Sequence, residues 1–332
     1  MDSVGDLARM LVLRTNQVRL REEMDVLAVE VATGFVKDKG AHLRGDVSGL
    51  LAIDRSLERL DTFRFANAEA ALLTGAMQQA LGEIQERAQS TSQTLISAEL
   101  TPSEALLGTM SRDARDALGQ TLGALNRSVG GRFLFSGTAT DRSAMPDLET
   151  MMTELRTAVT GLTTATDIQA ALDAFFAPGG TFETTIYQGS GTGIAPLRLG
   201  ENERATLDIK ATDDALRAIL KPLAMASLAS EPGLVIPVSE KVKMLSTSGE
   251  GLLGAQQDIV ELRGGLGALE GRIEENTARI ESERTATQLA RLDLVGTDQY
   301  ETATRYENVR SQLESLYAIT VRSQRLSLTE FL

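Results

Sequence analysis

His42 is the chain's one histidine, and it stands in a loop rich in glycine and charge, KGAHLRGD at 39–46. An imidazole can ligate a metal or carry a proton, but either job needs partners. With no cysteine and no second histidine in the chain to supply them, His42 reads as a loop residue. Gly189-Ser190-Gly191-Thr192-Gly193 has glycines spaced like a phosphate cradle. It lacks the Lys-Ser/Thr that closes a P-loop, and its strand-like flanks make it a hairpin turn. Two carboxylate pairs, Asp213-Asp214 and Glu274-Glu275, could divide acid and base work. The first opens a helix, where carboxylates offset the dipole, and the second flanks a helical seam, so both read as solvated charge. Asn126-Arg127-Ser128 fits a glycosylation triplet, but a helical pattern runs through it. No catalytic constellation emerges, no metal or cofactor site is expected, and the chain reads as a non-enzyme.

The remaining question is what such a chain builds. At 332 residues it is long enough for two or three domains, yet it has no Trp and only 4% aromatic residues. That is little bulk for a large jigsaw core and suits helices zipped by aliphatic stripes. A net charge of -13 argues against nucleic acid, because Lys and Arg form no basic footprint of the kind a phosphate backbone needs. No run approaches the apolar length of a membrane span, so no membrane insertion is expected. The opening MDSVGDLARMLVLRTNQ lacks the basic region, apolar core and cleavage site of a secretion signal.

Helical periodicity dominates both ends. Met10, Leu13, Gln17, Leu20, Met24, Leu27 and Val31 recur at spacings of three and four, one seam on one helix, with Gly34 just beyond it. A second pattern runs from Leu50 to Ile96, and a third opens at Thr101-Pro102-Ser103-Glu104, with Thr as cap and Pro in the first turn. It continues to about Val129 and stops at Gly130-Gly131. From Leu262 through Leu266, Leu269, Ile273, Asn276 and Ile280 to Leu294 another seam repeats over more than four heptads. After Gly296 a last helix carries Tyr306, Val309, Leu313, Leu316 and Thr320 on one face and ends in Leu328 and Phe331.

Between the arms, 142–230 has a different texture: helical patterns at 148–160, 167–176 and 213–229, and strand-like stretches at 181–189, 196–200 and 204–210. The expected fold is therefore mainly α. A long antiparallel helical rod, coiled-coil-like, is formed by the N- and C-terminal arms, with a small inserted α+β domain. The expected division is 1–40 with 298–332 as terminal helices, 41–141 with 231–297 as the rod, and 142–230 as the outer domain. Met10, Leu13, Leu20, Met24, Leu27, Val309, Leu313, Leu316, Leu328 and Phe331 form the expected assembly interface, ordered against neighbouring copies. At the exit to the insert stands GRFLFSGTATD, 131–141, whose Phe133 and Phe135 alternate with Leu134. Both rings are expected on one buried face of a short strand, marking the boundary between rod and outer domain.

GRFLFSGTATD resembles the motif with which the flagellin superfamily leaves its second N-terminal helix. The C-terminal Asp293-Leu294-Val295-Gly296, Tyr300 and Ser327-Leu328-Thr329-Glu330-Phe331-Leu332 are similar to that superfamily's closing helix. The likeness covers both arms and spares the insert. The single small insert and the end YAITVRSQRLSLTEFL resemble the hook-filament junction type more than the filament subunit, flagellin itself, which is the alternative. The direct run of MDSVGDLARM into the first helix departs from the superfamily's usual Ser/Thr- and Met-rich start. The resemblance implies a structural role in the bacterial flagellum. It also implies export through the flagellar secretion apparatus without a cleaved signal peptide, and an extracellular location. The implied partners are an FlgK-type hook-associated protein, flagellin, copies of itself in a ring, and an export chaperone.

Overall fold

The computed structural model describes residues 2–100 and 103–329, with side chains from 8 to 322 outside that gap. The chain is mainly α. Its elements are α1 (Asp2–Thr33), the short α2 (Lys39–His42), α3 (Ser48–Ile96), α4 (Glu104–Leu125), α5 (Leu148–Ala158), α6 (Ala165–Phe176), α7 (Asp214–Leu228), α8 (Val238–Val295) and α9 (Gln299–Thr329). Four two-residue strands make two antiparallel pairs: β1 (Ser128–Val129) with β2 (Arg132–Phe133), and β3 (Leu197–Arg198) with β4 (Arg204–Ala205). The chain divides into two compact units, Met1–Thr62 with Ile280–Leu332, and Phe63–Arg279.

Local chemistry explains most boundaries. Ser103, not Thr101, caps α4, its hydroxyl accepting from Leu106 N at 3.2 Å. The expected cap and proline at Thr101-Pro102 lie outside the described residues. Asp147 caps α5 by accepting from Thr150 N at 2.9 Å. Thr164 and Asp167 form a reciprocal cap on α6, at 3.2 Å from Asp167 N to the Thr164 hydroxyl and 2.7 Å from that hydroxyl to the carboxylate.

In the Phe63–Arg279 unit, one apolar core joins α3, α4, α7 and α8 to α5, α6 and the segment around 182–186. Segment 142–230 contributes Met151, Leu155, Ile168, Phe182, Leu216 and Leu220 to the same core as Met77, Leu81, Leu118 and Leu252. Within this unit α3 and α8 run antiparallel. Asn67 meets Asn276, Gln78 meets Arg263 and Ser92 meets Gly249, so the partner number falls as the first rises.

Two expectations fail around residues 181–193 of this unit. Residues 181–189 are not a strand: Phe182–Ile186 forms a single π-helical turn, entered through Gly180, with Phe182 and Ile186 both buried. A strand would bury Thr184 on the same face as Phe182 and Ile186, but Thr184 is exposed while the neighbours Ile186 and Tyr187 are both buried, a spacing that a helical turn satisfies. Nor is 189–193 a hairpin turn. Ser190 N donates to Ser136 O at 2.8 Å and Thr138 N to Thr192 O at 2.9 Å, so the loop pairs with the GRFLFSGTATD stretch instead.

Candidate assembly surface

Packing of the α1–α9 pair starts from the α8–α9 joint. Phe35 and Gly296 form an isolated antiparallel bridge, with Val36 N donating to Val295 O at 2.9 Å and Thr297 N to Gly34 O at 3.0 Å. Asp298 then caps α9, accepting from Tyr300 N at 2.9 Å and Glu301 N at 3.1 Å. The Asp293-to-Tyr300 motif therefore turns the chain and ties the start of α9 to the end of α1, which makes the two helices antiparallel. Arg291 lies 4.8 Å from the centre of the Phe35 ring and bonds Asp54 at 2.8 Å, while Arg284 bonds Asp61 at 2.9 Å. These two pairs hold α8 antiparallel to α3 on the same side of the joint.

Along the pair, Leu20, Leu27, Val309 and Leu313 form a closed cluster, flanked by half-buried Met24, Tyr306, Leu316 and Tyr317. Arg21 Nε donates to Tyr317 Oη at 2.8 Å with its guanidinium 5.5 Å from the ring centre. At these positions the seam is therefore covered within the chain. Leu13 is half-buried, and Met10 is 56% exposed. The side chain of Leu328 and the whole of Phe331 lie outside the described residues. Each buried leucine contributes about 1.5–3 kcal/mol by leaving water, so four residues anchor helices of 32 and 31 residues.

The sequence pattern missed what stays outside. Leu11, Val12, Val18, Val29, Leu51, Leu289, Leu292, Ile319 and Val321 are exposed, and Tyr300 is 85% exposed beside the joint. Isolated exposed apolar residues are ordinary, but contiguous ones mark contact surfaces. A second miss is electrostatic. The expectation of no basic cluster does not hold for residues 7–21 and 317–329, which contain six Arg and no Asp or Glu. On an antiparallel pair these stretches share one end. Counting unlike charges along each helix, rather than seeking adjacent Lys and Arg, would have found it.

The GRFLFSGTATD stretch plays a different part from the one expected. Helix α4 ends at Leu125, not at the glycines, with Asn126 locking the exit: its amide bonds Met145 O and N at 2.9 and 2.8 Å. Gly130 and Gly131, at φ 58° and 77°, form the two-residue turn of the β1–β2 hairpin, a conformation that disfavours any residue with a Cβ. Phe133 and Phe135 do not share one buried face. Phe135 is fully buried, as is Leu134, whereas Phe133 is half-buried on the hairpin. The strand ends at Phe133, so strict alternation stops before Phe135. Phe135 O accepts from Ala211 N at 3.1 Å and Tyr187 Oη at 3.3 Å, and Gly137 lies where a Cβ would sit 2.4 Å from Ser190 O. The stretch is a latch between the end of α4 and the insert.

The residues considered for chemistry are dispersed. His42 is exposed at the end of α2, and Glu274 and Glu275 are exposed on α8. Asp213 starts α7 beside an open groove of 770 Å³ that Leu207, Leu262, Leu269, Asp208 and Asp258 also line. Burial pushes the Asp213 carboxyl above its ordinary range, and burial with Asp213 and Asp208 nearby pushes the Tyr187 hydroxyl up to about 12. Thr206 is the groove's sole hydroxyl, and no imidazole or thiol lines it. Among the described residues, no group of three or more His, Cys, Asp or Glu is placed to hold a metal. No helix among them is long and apolar enough to cross a membrane.

Residues 251–332 match the family model of the bacterial flagellin C-terminal helical region. No curated protein matches it significantly. Among solved structures, Bacillus cereus FlgL aligns over 73% of this chain and 99% of its own, at 15% identity and a TM-score of 0.53, which shows a shared fold. A putative flagellar hook-associated protein from Vibrio parahaemolyticus aligns over 71% of this chain and 95% of its own, at 14% identity and a TM-score of 0.41.

Proposed function

We propose that this chain is a structural subunit of the bacterial flagellum, of the hook-filament junction type, assembling through its paired terminal helices. The observation that carries this reading is the flagellin-type C-terminal region at 251–332, whose joint at Val295–Gly296 fastens α9 to α1. The fold shared with Bacillus cereus FlgL supports the junction role over the filament subunit. In this reading the terminal helices 1–40 and 298–332 are the assembling part, 41–141 with 231–297 the supporting helices, and 142–230 the outer part. Met10, Leu11 and Tyr300 belong to the surface that neighbours cover, while Leu20, Leu27, Val309 and Leu313 give that surface its shape. The subunits form a short ring between an FlgK-type hook-associated protein and the first flagellin, outside the cell, after export through the flagellar apparatus. The work is mechanical, and catalysis has no part in it.

The test is genetic. In a strain lacking the gene, hooks form without filaments, and the full chain restores filaments with the tagged protein at the base of each. A chain ending before Asn308 is exported yet restores none. Filaments of normal length in the deletion strain, or label spread along the filament, would refute the junction role.

A further inference from the structure

The α1–α9 pair is electrically polar along its length. Its free end, residues 2–21 of α1 with 317–329 of α9, holds Arg9, Arg14, Arg19, Arg21, Arg322 and Arg325 against two acids, Asp2 and Asp6. Its joint end, residues 22–33 with 298–316, holds eight acids and two Arg. One of those two, Arg310, faces Glu307 and Glu314 on its own helix at 3.6 and 3.2 Å. Arg9, Arg14, Arg19, Glu22, Asp25 and Glu301 are all exposed. The free end also bears Met10, Leu11, Val12, Val18, Ile319 and Val321, each at least 49% exposed. Two copies side by side in register would set like charge against like. Displacing one along the axis sets the basic, apolar end of one against the acidic end of the other.

We infer that the α1–α9 pair docks against a second copy of itself, staggered along its axis, with the arginine end of one copy on the acidic joint end of the next. This rests on the assembly reading above and adds its register. The centres of the two charge blocks on α1 are about ten residues apart, so the stagger is roughly 15 Å at 1.5 Å per residue. Such a contact is head-to-tail: each copy keeps a free basic end and a free acidic end, so copies follow one another around the ring, each displaced along the axis from the last. A basic amphipathic helix also fits an anionic lipid surface. The second copy is favoured because the same element supplies the complementary acidic block, which together with the net charge of -13 would be repelled by such a lipid surface.

The test uses the full chain. Sedimentation equilibrium should show self-association that weakens about tenfold or more as NaCl rises from about 0.05 to about 0.5 M, as the Debye length falls from ~14 to ~4 Å. Arg9→Glu/Arg14→Glu/Arg19→Glu and, separately, Glu22→Arg/Asp25→Arg/Glu301→Arg should each be monomeric. Their mixture should associate, a rescue that misfolding cannot produce. The idea is overturned by a wild-type monomer at every concentration, by association indifferent to salt, or by a mixture that stays monomeric. Wild-type chain sedimenting with phosphatidylserine vesicles while monomeric in their absence would overturn it in favour of lipid. In cells, normal filaments from the Arg-to-Glu variant would refute the stagger and leave the junction role standing. Normal filaments in the deletion strain would remove that role and leave the solution result intact.

Discussion

Replacing Phe135 by Ala tests the latch where it is most sharply defined. The ring is fully buried in the core of the Phe63–Arg279 unit, among that unit's largest enclosed side chains. The two hydrogen bonds at this residue, from Ala211 N and the Tyr187 hydroxyl, end on its carbonyl and survive truncation. The loss is therefore apolar contact plus the cavity left behind, about 3–5 kcal/mol for Phe to Ala in a core that relaxes little. For a unit of this size each kcal/mol lowers the midpoint by about 2–4 °C, so thermal denaturation followed by circular dichroism should shift down by roughly 10 °C. Phe133→Ala is the matched control. Its ring is half-buried on a two-residue strand, and the expected cost is about 1 kcal/mol. Equal shifts for the two variants would refute the assignment of Phe135 to the core and Phe133 to the hairpin surface.

Other substitutions probe other contacts. Asn276→Leu removes the donor to Asn67 Oδ1 at 3.1 Å and to Leu199 O at 2.7 Å, leaving Asn67 Oδ1 buried without it. It should cost about 1–3 kcal/mol in chemical denaturation, and an unchanged midpoint would sink the idea that this pair sets the α3–α8 register. Leu27→Ala should cost about 2–5 kcal/mol and be read as faster amide exchange in α1 and α9 with α4 and α7 unaffected. Gly137→Ala forces a Cβ to 2.4 Å from Ser190 O at a φ of 62°, so it should destabilise by about 1–3 kcal/mol; wild-type stability would contradict the close approach. Because burial raises the Asp213 pKa above 3.8, its contribution is present below that value and lost as pH rises through the raised pKa. Asp213→Asn should therefore be more stable than the parent at pH 7, with the difference vanishing below about pH 4; an advantage that persisted at low pH would refute the cause.

Much of the fold could be read from spacing, because a helix writes its buried face into the chain every three or four residues. The seam from Met10 to Val31 and the run from Leu50 to Ile96 both lie in single helices, α1 and α3. The Asn at 276, read from the sequence as decay of an apolar seam, proves to be a register pin whose partner lies 209 residues away. Sequence distance of that size hides the pairing, and a buried amide looks the same as an exposed one until its partner is known. Glu231 is a second case: an acid with 4% of its side chain exposed, held between Arg115 at 2.7 Å and Arg156 at 2.6 Å from α4 and α5. Buried charge of this kind is tolerable only when paired, and no local pattern announces the pair.

For the candidate surface the division runs differently. The apolar residues of α1 and α9 were legible as a seam, yet whether that seam meets its own chain or a neighbour depends on the Phe35–Gly296 bridge, which brings the two helices together. The segregation of six arginines from eight acids stands in the sequence itself, but it becomes one dipolar element only when antiparallel pairing puts residues 7–21 beside 317–329. The sequence by itself determined periodicity, caps and charge content, because each depends on neighbours within a turn or two. Tertiary structure alone decided the partners of Asn276, Glu231 and Phe135, because burial and long-range pairing are properties of surfaces that exist only once distant segments meet.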